Sequence, residues 1–405
     1  MTKTRIACAV VGVLSLVAAA LMAWWITPSY VARIPDGKNI SRTYEGTFQS
    51  LLDPTALASG NLLGAIKRNV PVSVVQDVKA EQTSGNTALM SDSRTTEAAG
   101  TKVEQTKWEY AVDRQSLEAT SNHPSSWNVI PAKGLTVSFP FGAQKKNYEG
   151  WTPETQTTVP LTYLRSETKQ GITTYVYEAK VPPTKIVDPQ ILASLPKQLP
   201  TSLIQLLGSA GAVPPAQAAL LAQILPQLGA QATMAYTLQD DSTFWVDPST
   251  GLVIDVHRNQ ERIANLVLPN GSTAPLIPAV AVTYQDTAAS SQAAADDARH
   301  GRTVIRWLGV YLPIILLILG VVLLALAALL PGRRRERGPV GPEAGAGPGP
   351  GPGPGPGSGS GPGSGPGSGP EAGPGPAPGS GPGAGPGSGP GPWPETGPGP
   401  EATHP

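Results

Sequence analysis

Two uncharged apolar runs bracket most of this 405-residue chain and limit what can lie between them. Ile6–Ile26, IACAVVGVLSLVAAALMAWWI, holds 21 residues, and Trp307–Leu330, WLGVYLPIILLILGVVLLALAALL, holds 24. At 1.5 Å per residue each covers ~30 Å, the thickness of a bilayer's hydrocarbon core, so each is expected to cross once as a helix. Lys3, Arg5 and Ala18-Ala19-Ala20 also suit a cleavable signal peptide. The first run, however, is longer than the about 7–15 residues of a signal core and continues through Trp24-Trp25-Ile26, which favours an uncleaved anchor. Cys8 lies inside this run and lacks the preceding Leu of a lipoprotein signal, since Arg5 stands there.

Orientation follows from the second run. Gly-Arg-Arg-Arg-Glu-Arg occupies 332–337, against only Arg302 and Arg306 on the other flank, so the C-terminal side is expected to be cytoplasmic. Two crossings then place both termini in the cytoplasm. Trp24, Trp25 and Tyr30 after the first run and Trp307 and Tyr311 before the second would form an aromatic belt in one outer leaflet. The expected layout is a short cytoplasmic N-terminus at 1–5, a transmembrane helix at 6–26 and an extracytoplasmic domain at 27–303. A second transmembrane helix at 307–330 and a basic stop with a cytoplasmic tail at 331–405 complete it. Much of the Gly 46 and Pro 44 falls in that tail. Its glycines recur at every second position rather than every third, which excludes a collagen helix and points to a disordered spacer with polyproline II character.

Between the spans the pattern is mostly β. Val70–Val78, Lys107–Ala119 and Thr162–Lys180 alternate apolar and polar positions, and Ser166–Gly171 reads as the turn of a hairpin. Phe244-Trp245-Val246 enters the turn Asp247–Gly251 and leaves through Leu252–Val256, while Asn270-Gly271 joins Ile263–Leu268 to Leu276–Tyr284. Asp53-Pro54 begins a helix with Leu57, Leu62, Leu63 and Ile66 as its stripe, and Ala288–His300 suits a helical stalk. The expected fold class is α+β: an antiparallel β-rich extracytoplasmic domain with an inserted helical hairpin, flanked by two transmembrane helices.

That hairpin, at 188–230, is the strongest functional hint. Gln198–Gln239 runs 42 residues without a charge. Ile191, Leu192, Leu195, Leu199, Leu203, Leu206 and Leu207 recur at helical spacing, and Leu220, Leu221, Ile224, Leu225 and Leu228 resume after Pro214-Pro215. Each arm is too short to cross a bilayer. The leucines either pack on the sheet or meet lipid, an apolar ligand or another subunit, because the other face offers only Gln, Ser and Ala where surface helices carry Lys and Glu. Leu203, Leu206, Leu207, Leu220, Leu221, Ile224 and Leu225 are the candidate ligand or partner surface. The expected partners are membrane lipid and a second copy or another envelope protein, with an oligomeric channel or scaffold as the alternative reading.

Chemistry leaves no comparable trace. His123, His257, His300 and His404 lack metal-ligand spacing, and no GxSxG, Walker or dinucleotide fingerprint occurs, so no catalytic residue, metal or cofactor is expected. Asp240-Asp241 and Asp296-Asp297 are adjacent rather than spaced along one face. Asn39-Ile40-Ser41 and Asn270-Gly271-Ser272 match the glycosylation sequon, a pattern short enough to arise by chance. Lys+Arg 29 balances Asp+Glu 29, which removes the electrostatic footprint of a nucleic-acid binder.

Several segments together resemble the actinobacterial porin PorA family, two-anchor membrane proteins of unassigned function. They are Tyr44-Glu45-Gly46-Thr47, Val112-Asp113-Arg114, GLTVSFPFGAQKKNYEGWTPETQ from Gly134 to Gln156, and Trp245-Val246-Asp247-Pro248-Ser249-Thr250-Gly251. Phe139-Pro140-Phe141-Gly142 followed by Asn147-Tyr148 and Trp151 is the most specific part, and the resemblance covers roughly 5–335. The family often has Asp after the aromatic at Trp151, where Thr152 stands here. The family label implies a channel, but a membrane β-barrel has no use for two anchor helices. In layout the chain is also similar to class B scavenger receptors, which implies a β-rich body that passes lipids along an internal tunnel.

Overall fold

The computed structural model describes residues 3–61, 64–209 and 215–330, apart from the side chains of 28, 30, 215–217 and 220. Helix α1 (Lys3–Leu21) continues through a π-helical stretch, Met22–Val31, into strand β1 (Asn39–Leu52). Then follow α2 (Pro54–Ala58), β2 (Ile66–Lys67), β3 (Val70–Ser84), β4 (Thr87–Ala98), β5 (Thr101–Asp113), β6 (Tyr148–Thr152), β7 (Thr157–Lys169) and β8 (Ile172–Lys185). The uncharged segment supplies α3 (Pro189–Ala193), β9 (Gln198–Pro200), α4 (Thr201–Ser209) and α5 (Pro215–Ile224). Strands β10 (Gln231–Val246), β11 (Val253–Val267) and β12 (Thr273–Asp286) lead into α6 (Ala288–Arg306) and, through a π-helical turn at Trp307–Tyr311, α7 (Leu312–Leu329).

Two helices, Lys3–Thr27 and Ala288–Leu329, are long and apolar enough to cross a membrane. They are not buried in the body: Val10, Leu14, Val17, Ile315, Ile318 and Val322 are exposed, as a lipid-facing surface requires. Helices α1 and α7 pack on each other through facing glycines. A Cβ on Gly320 would come 2.9 Å from the Gly12 carbonyl oxygen and 2.8 Å from Leu16, so a side chain there would push the helices apart. Thr27 Oγ1 donates to the Leu308 carbonyl at 3.1 Å and ties the outer ends together.

The strands are antiparallel along the path β5-β4-β3-β1-β12-β11-β10-β8-β7-β6, with β2 on β1 and β9 on β10. Its two edges do not stay open. Ala119 bridges Val112 at the end of β5, Glu118 bridges Leu135, and Leu135 bridges Gly150 in β6. Backbone bonds of 2.8 Å from Leu135 N to Glu149 O and from Trp151 N to Leu135 O complete the circuit. The body is therefore a barrel, its two outer strands joined by these bridges through the 118–135 segment.

Hairpin signals locate most of the strands. Asn270-Gly271 joins β11 to β12 as expected, but the β7–β8 turn is tighter than expected: β7 runs on to Lys169, and Gln170 and Gly171 alone turn the chain, both at positive φ (48° and 70°). Helix α2 ends at Ala58, and of its expected stripe Leu62 and Leu63 lie outside the described residues while Ile66 belongs to β2. The insertion also differs from two plain arms. Pro196 and Pro200 lack the N–H a continuing helix needs, so the first leucines divide between α3 and β9, the latter paired in register with Gln231–Thr233. Helices α4 and α5 form the hairpin proper, joined through residues outside the described set.

Helix α6 lies against the barrel instead of standing free as a stalk. Ala295 and Ala298 pack on Ile172 and Ile254. Lys38 Nζ reaches Asp297 at 2.7 Å, and Arg302 is paired with the fully buried Asp247.

Candidate functional site: the barrel cavity

A cavity of about 810 Å³ occupies the barrel interior, within the range of small-molecule and cofactor sites. The period-two alternation of the strands builds its wall. Ile40, Arg42 and Tyr44 of β1 point inward, as do Val74, Gln76 and Val78 of β3, Met90, Asp92 and Arg94 of β4, Asp240, Ser242 and Phe244 of β10, and Val256, Arg258 and Gln260 of β11. At one end the lining reaches Val31 and Ile34 after the first membrane helix and Val304, Ile305 and Leu308 at the α6–α7 junction. The cavity thus extends to the end of the body where the two apolar helices join it, and α6 contributes Ala294, Asp297, His300 and Gly301 to its rim.

Deeper in, side chains of both charges form a belt. Arg94 Nη2 donates to Asp92 Oδ2 at 2.8 Å, and its guanidinium lies 5.2 Å from the Trp108 ring centroid. Gln76 Nε2 donates to Asp92 Oδ1 at 2.8 Å, and Gln76 Oε1 accepts from Tyr44 OH at 2.6 Å. Across the barrel Arg258 Nε donates to Ser242 Oγ at 3.0 Å, Ser242 donates to Asp240 Oδ1 at 2.8 Å, and Arg258 Nε lies 3.7 Å from Asp240 Oδ2. Gln260 Nε2 and Arg262 Nε hold the two oxygens of Glu154 at 2.9 and 3.0 Å, while Arg262 also pairs with Glu104. Nearer the α6 end, Arg42 grips both oxygens of Asp286 at 3.1 and 2.9 Å and donates to Val253 O at 2.7 Å.

Burial and pairing compete in setting these charges. Burial pushes the Asp240 carboxyl up, with Arg258 opposing it. For Glu154 burial acts the same way, but the Arg262 guanidinium and hydrogen bonds from Arg262 and Gln260 outweigh it and hold the carboxyl below its usual range. Arg94 is held more firmly protonated than usual: burial acts against its charge, and the Asp92 carboxylate overcomes that. Among the described residues, two in the lining carry a buried polar atom without a hydrogen bond, Trp151 at Nε1 and Thr136 at Oγ1. A buried donor or acceptor left unpaired costs about 1–3 kcal/mol, so a ligand supplying partners would recover that free energy.

The segments that carry the family resemblance meet beside this cavity. Phe139 N and Ser138 Oγ donate to Gly251 O at 3.2 and 2.8 Å, and Gly142 N donates to Ser249 O at 3.2 Å. The Phe139 ring then lies 4.6 Å from Tyr177, 5.9 Å from Tyr148 and 6.3 Å from Phe244, centroid to centroid. Asp247 accepts from Thr250 N at 3.0 Å and Thr250 Oγ1 at 2.6 Å as well as from Arg302, so one carboxylate fixes both the turn and helix α6.

The leucines singled out by the sequence lie elsewhere. Leu203, Leu207 and Leu221 are 0%, 7% and 3% exposed in the main apolar core, with Ile224 and Leu225 half-buried against it. Leu206 is half-buried, and the Leu220 side chain lies outside the described residues. None of the other six lines the cavity. Sequence reasoning missed the belt itself, although it leaves a trace: polar and charged residues at every second position of apolar strands, as in Met90-x-Asp92-x-Arg94 and Val256-x-Arg258-x-Gln260-x-Arg262. Among the described residues no group of three or more His, Cys, Asp or Glu is placed to hold a metal ion.

A family model described as Porin PorA matches residues 6–329, which takes in both apolar helices and the whole barrel. The chain belongs to that family. No curated protein matches it. The two apolar helices and the family match fit a membrane-associated envelope protein.

Proposed function

We propose that this chain is a non-enzymatic, two-pass plasma-membrane protein whose barrel, the extracytoplasmic domain at 27–303, binds or passes a lipid or similar amphiphile. The observation that carries the reading is where the cavity opens. Its mouth reaches Val31, Ile34, Val304, Ile305 and Leu308, where the two apolar helices join the body, with Arg33, Asp36, Lys38, Asp297 and His300 beside them, and its depth holds the charged belt. An amphiphile entering headgroup first would reach the belt while its chains remain against the apolar residues of the mouth and the bilayer. Both termini and the Gly/Pro-rich tail at 331–405 lie in the cytoplasm under this reading.

The family's porin label favours a second reading, an oligomeric channel or envelope scaffold. Against a membrane-spanning barrel stands the outer wall, where Asp77, Lys79, Lys107, Glu109, Glu178 and Lys180 would have to face lipid. Conductance of the purified chain in planar bilayers tests this second reading.

Native mass spectrometry of the full chain, released from detergent and followed by lipid extraction, tests the first. One lipid retained per chain is expected, and Val78→Trp, which fills the cavity from its wall, should abolish retention while the far-UV circular dichroism stays unchanged. An empty wild-type chain would count against the proposal.

A further inference from the structure

If the cavity holds an amphiphile, the belt states which headgroup chemistry it accepts. We infer that the belt recognises an uncharged, polyhydroxylated headgroup, a sugar or other polyol, rather than a phosphate or other anion; this inference rests on the amphiphile reading above.

Charge balance is the first ground. Arg94 has Asp92 at 2.8 Å, and Arg258 has Asp240 at 3.7 Å and the intervening Ser242 hydroxyl. An anion at either guanidinium would have to displace a carboxylate or sit beside it, and like charges repel strongly where solvent is excluded. A hydroxyl meets no such conflict, because it donates to a carboxylate and accepts from a guanidinium or amide with the same oxygen. A belt that interleaves acids and arginines is therefore matched to a ligand carrying several hydroxyls.

The second ground is independent of charge. Trp151 and Thr136 line the same cavity, and their Nε1 and Oγ1 atoms are buried with no hydrogen-bond partner among the described residues. The indole N–H can only donate, so it requires an acceptor such as a hydroxyl or ring oxygen. The tryptophan ring also offers an apolar face against which the C–H face of a sugar packs while its hydroxyls turn to the polar groups. A simple phosphate has no apolar face to use that surface.

The experiment is a lipid competition on the full chain. The detergent-solubilised protein is incubated with phosphatidylcholine vesicles containing equal amounts of a glucosyl diacylglycerol and a phosphatidic acid with identical acyl chains, and the retained lipids are counted by native mass spectrometry. The glucosyl lipid should be retained over phosphatidic acid by about tenfold or more. Trp151→Phe keeps an aromatic ring and removes the N–H, and should lower glucosyl-lipid retention about three- to tenfold. Asp92→Asn leaves Arg94 without its counter-charge and should shift the ratio toward phosphatidic acid; should that variant fail to fold, Trp151→Phe still decides. Equal or greater retention of phosphatidic acid or phosphatidylcholine by the wild type, or an unchanged ratio in Trp151→Phe, would overturn the headgroup inference and leave the amphiphile reading standing. Retention of no lipid at all would overturn both.

Discussion

Gly251 sits at φ 73° with the Phe139 carbonyl oxygen 2.1 Å from where a Cβ would be, so both its conformation and its surroundings exclude a side chain. Gly251→Ala is expected to cost about 1–3 kcal/mol from the left-handed backbone alone, and to loosen the contact between the Phe139 loop and the 247–251 turn. A lowered Tm together with altered near-UV circular dichroism would check it. Asp286 is a second single-residue control, placed where β12 gives way to α6. Burial pushes its carboxyl from 3.8 up to about 6, Arg42 pulls the other way, and Asp255 adds to the rise. The folded protein therefore holds this proton more tightly than the unfolded chain does. Its stabilising contribution is fully present below 3.8 and is lost as pH rises through about 6. Removing the group with Asp286→Asn should flatten that part of the stability curve by about 2–3 kcal/mol. Comparing melts of wild type and variant from about pH 4 to about pH 7 measures it, and an unchanged slope would show that Asp286 does not hold the proton.

At the level of elements, the uncharged insertion separates buried leucines from exposed polar positions. Leu203 is fully buried in α4, so Leu203→Ala should destabilise the body by about 2–5 kcal/mol, whereas Gln205→Ala on the exposed face of the same helix should stay within about 0.5 kcal/mol. Equal effects of the two, read by chemical denaturation, would mean that α4 does not pack as described. Helical spacing made α4 and α5 legible in the sequence, and Asn270-Gly271 made the β11–β12 hairpin legible, because both signals are local. Barrel closure was not: it rests on single bridges at Glu118, Leu135 and Gly150, residues far apart in sequence with no periodic signature. The belt was not read from the sequence. Asp240 and Arg258 alternate with the outward residues of their strands, but which face is inside depends on that same closure. The leucines drew attention because they lack charge, while the cavity is marked by charge placed where a core would be apolar.

On the proposed reading, the whole molecule depends on how its two apolar helices hold the barrel mouth against the bilayer. Trp24 is 90% exposed, and Trp25, Trp307 and Tyr311 are also exposed where the helices approach the body, the distribution expected of an interfacial belt. If that belt lies in the outer leaflet, every exposed position on the barrel is extracytoplasmic. The single native Cys8 is on α1, within the first membrane span, so new cysteines report cleanly. Gln223→Cys on the exposed face of α5 and Ser202→Cys on α4 should both react with a membrane-impermeant maleimide in intact cells, while Thr4→Cys, before the first span, should react only after the membrane is permeabilised. The opposite labelling pattern would invert the topology. On the amphiphile reading, the cavity mouth would then face the cytoplasmic leaflet, and a lipid entering it would come from that side.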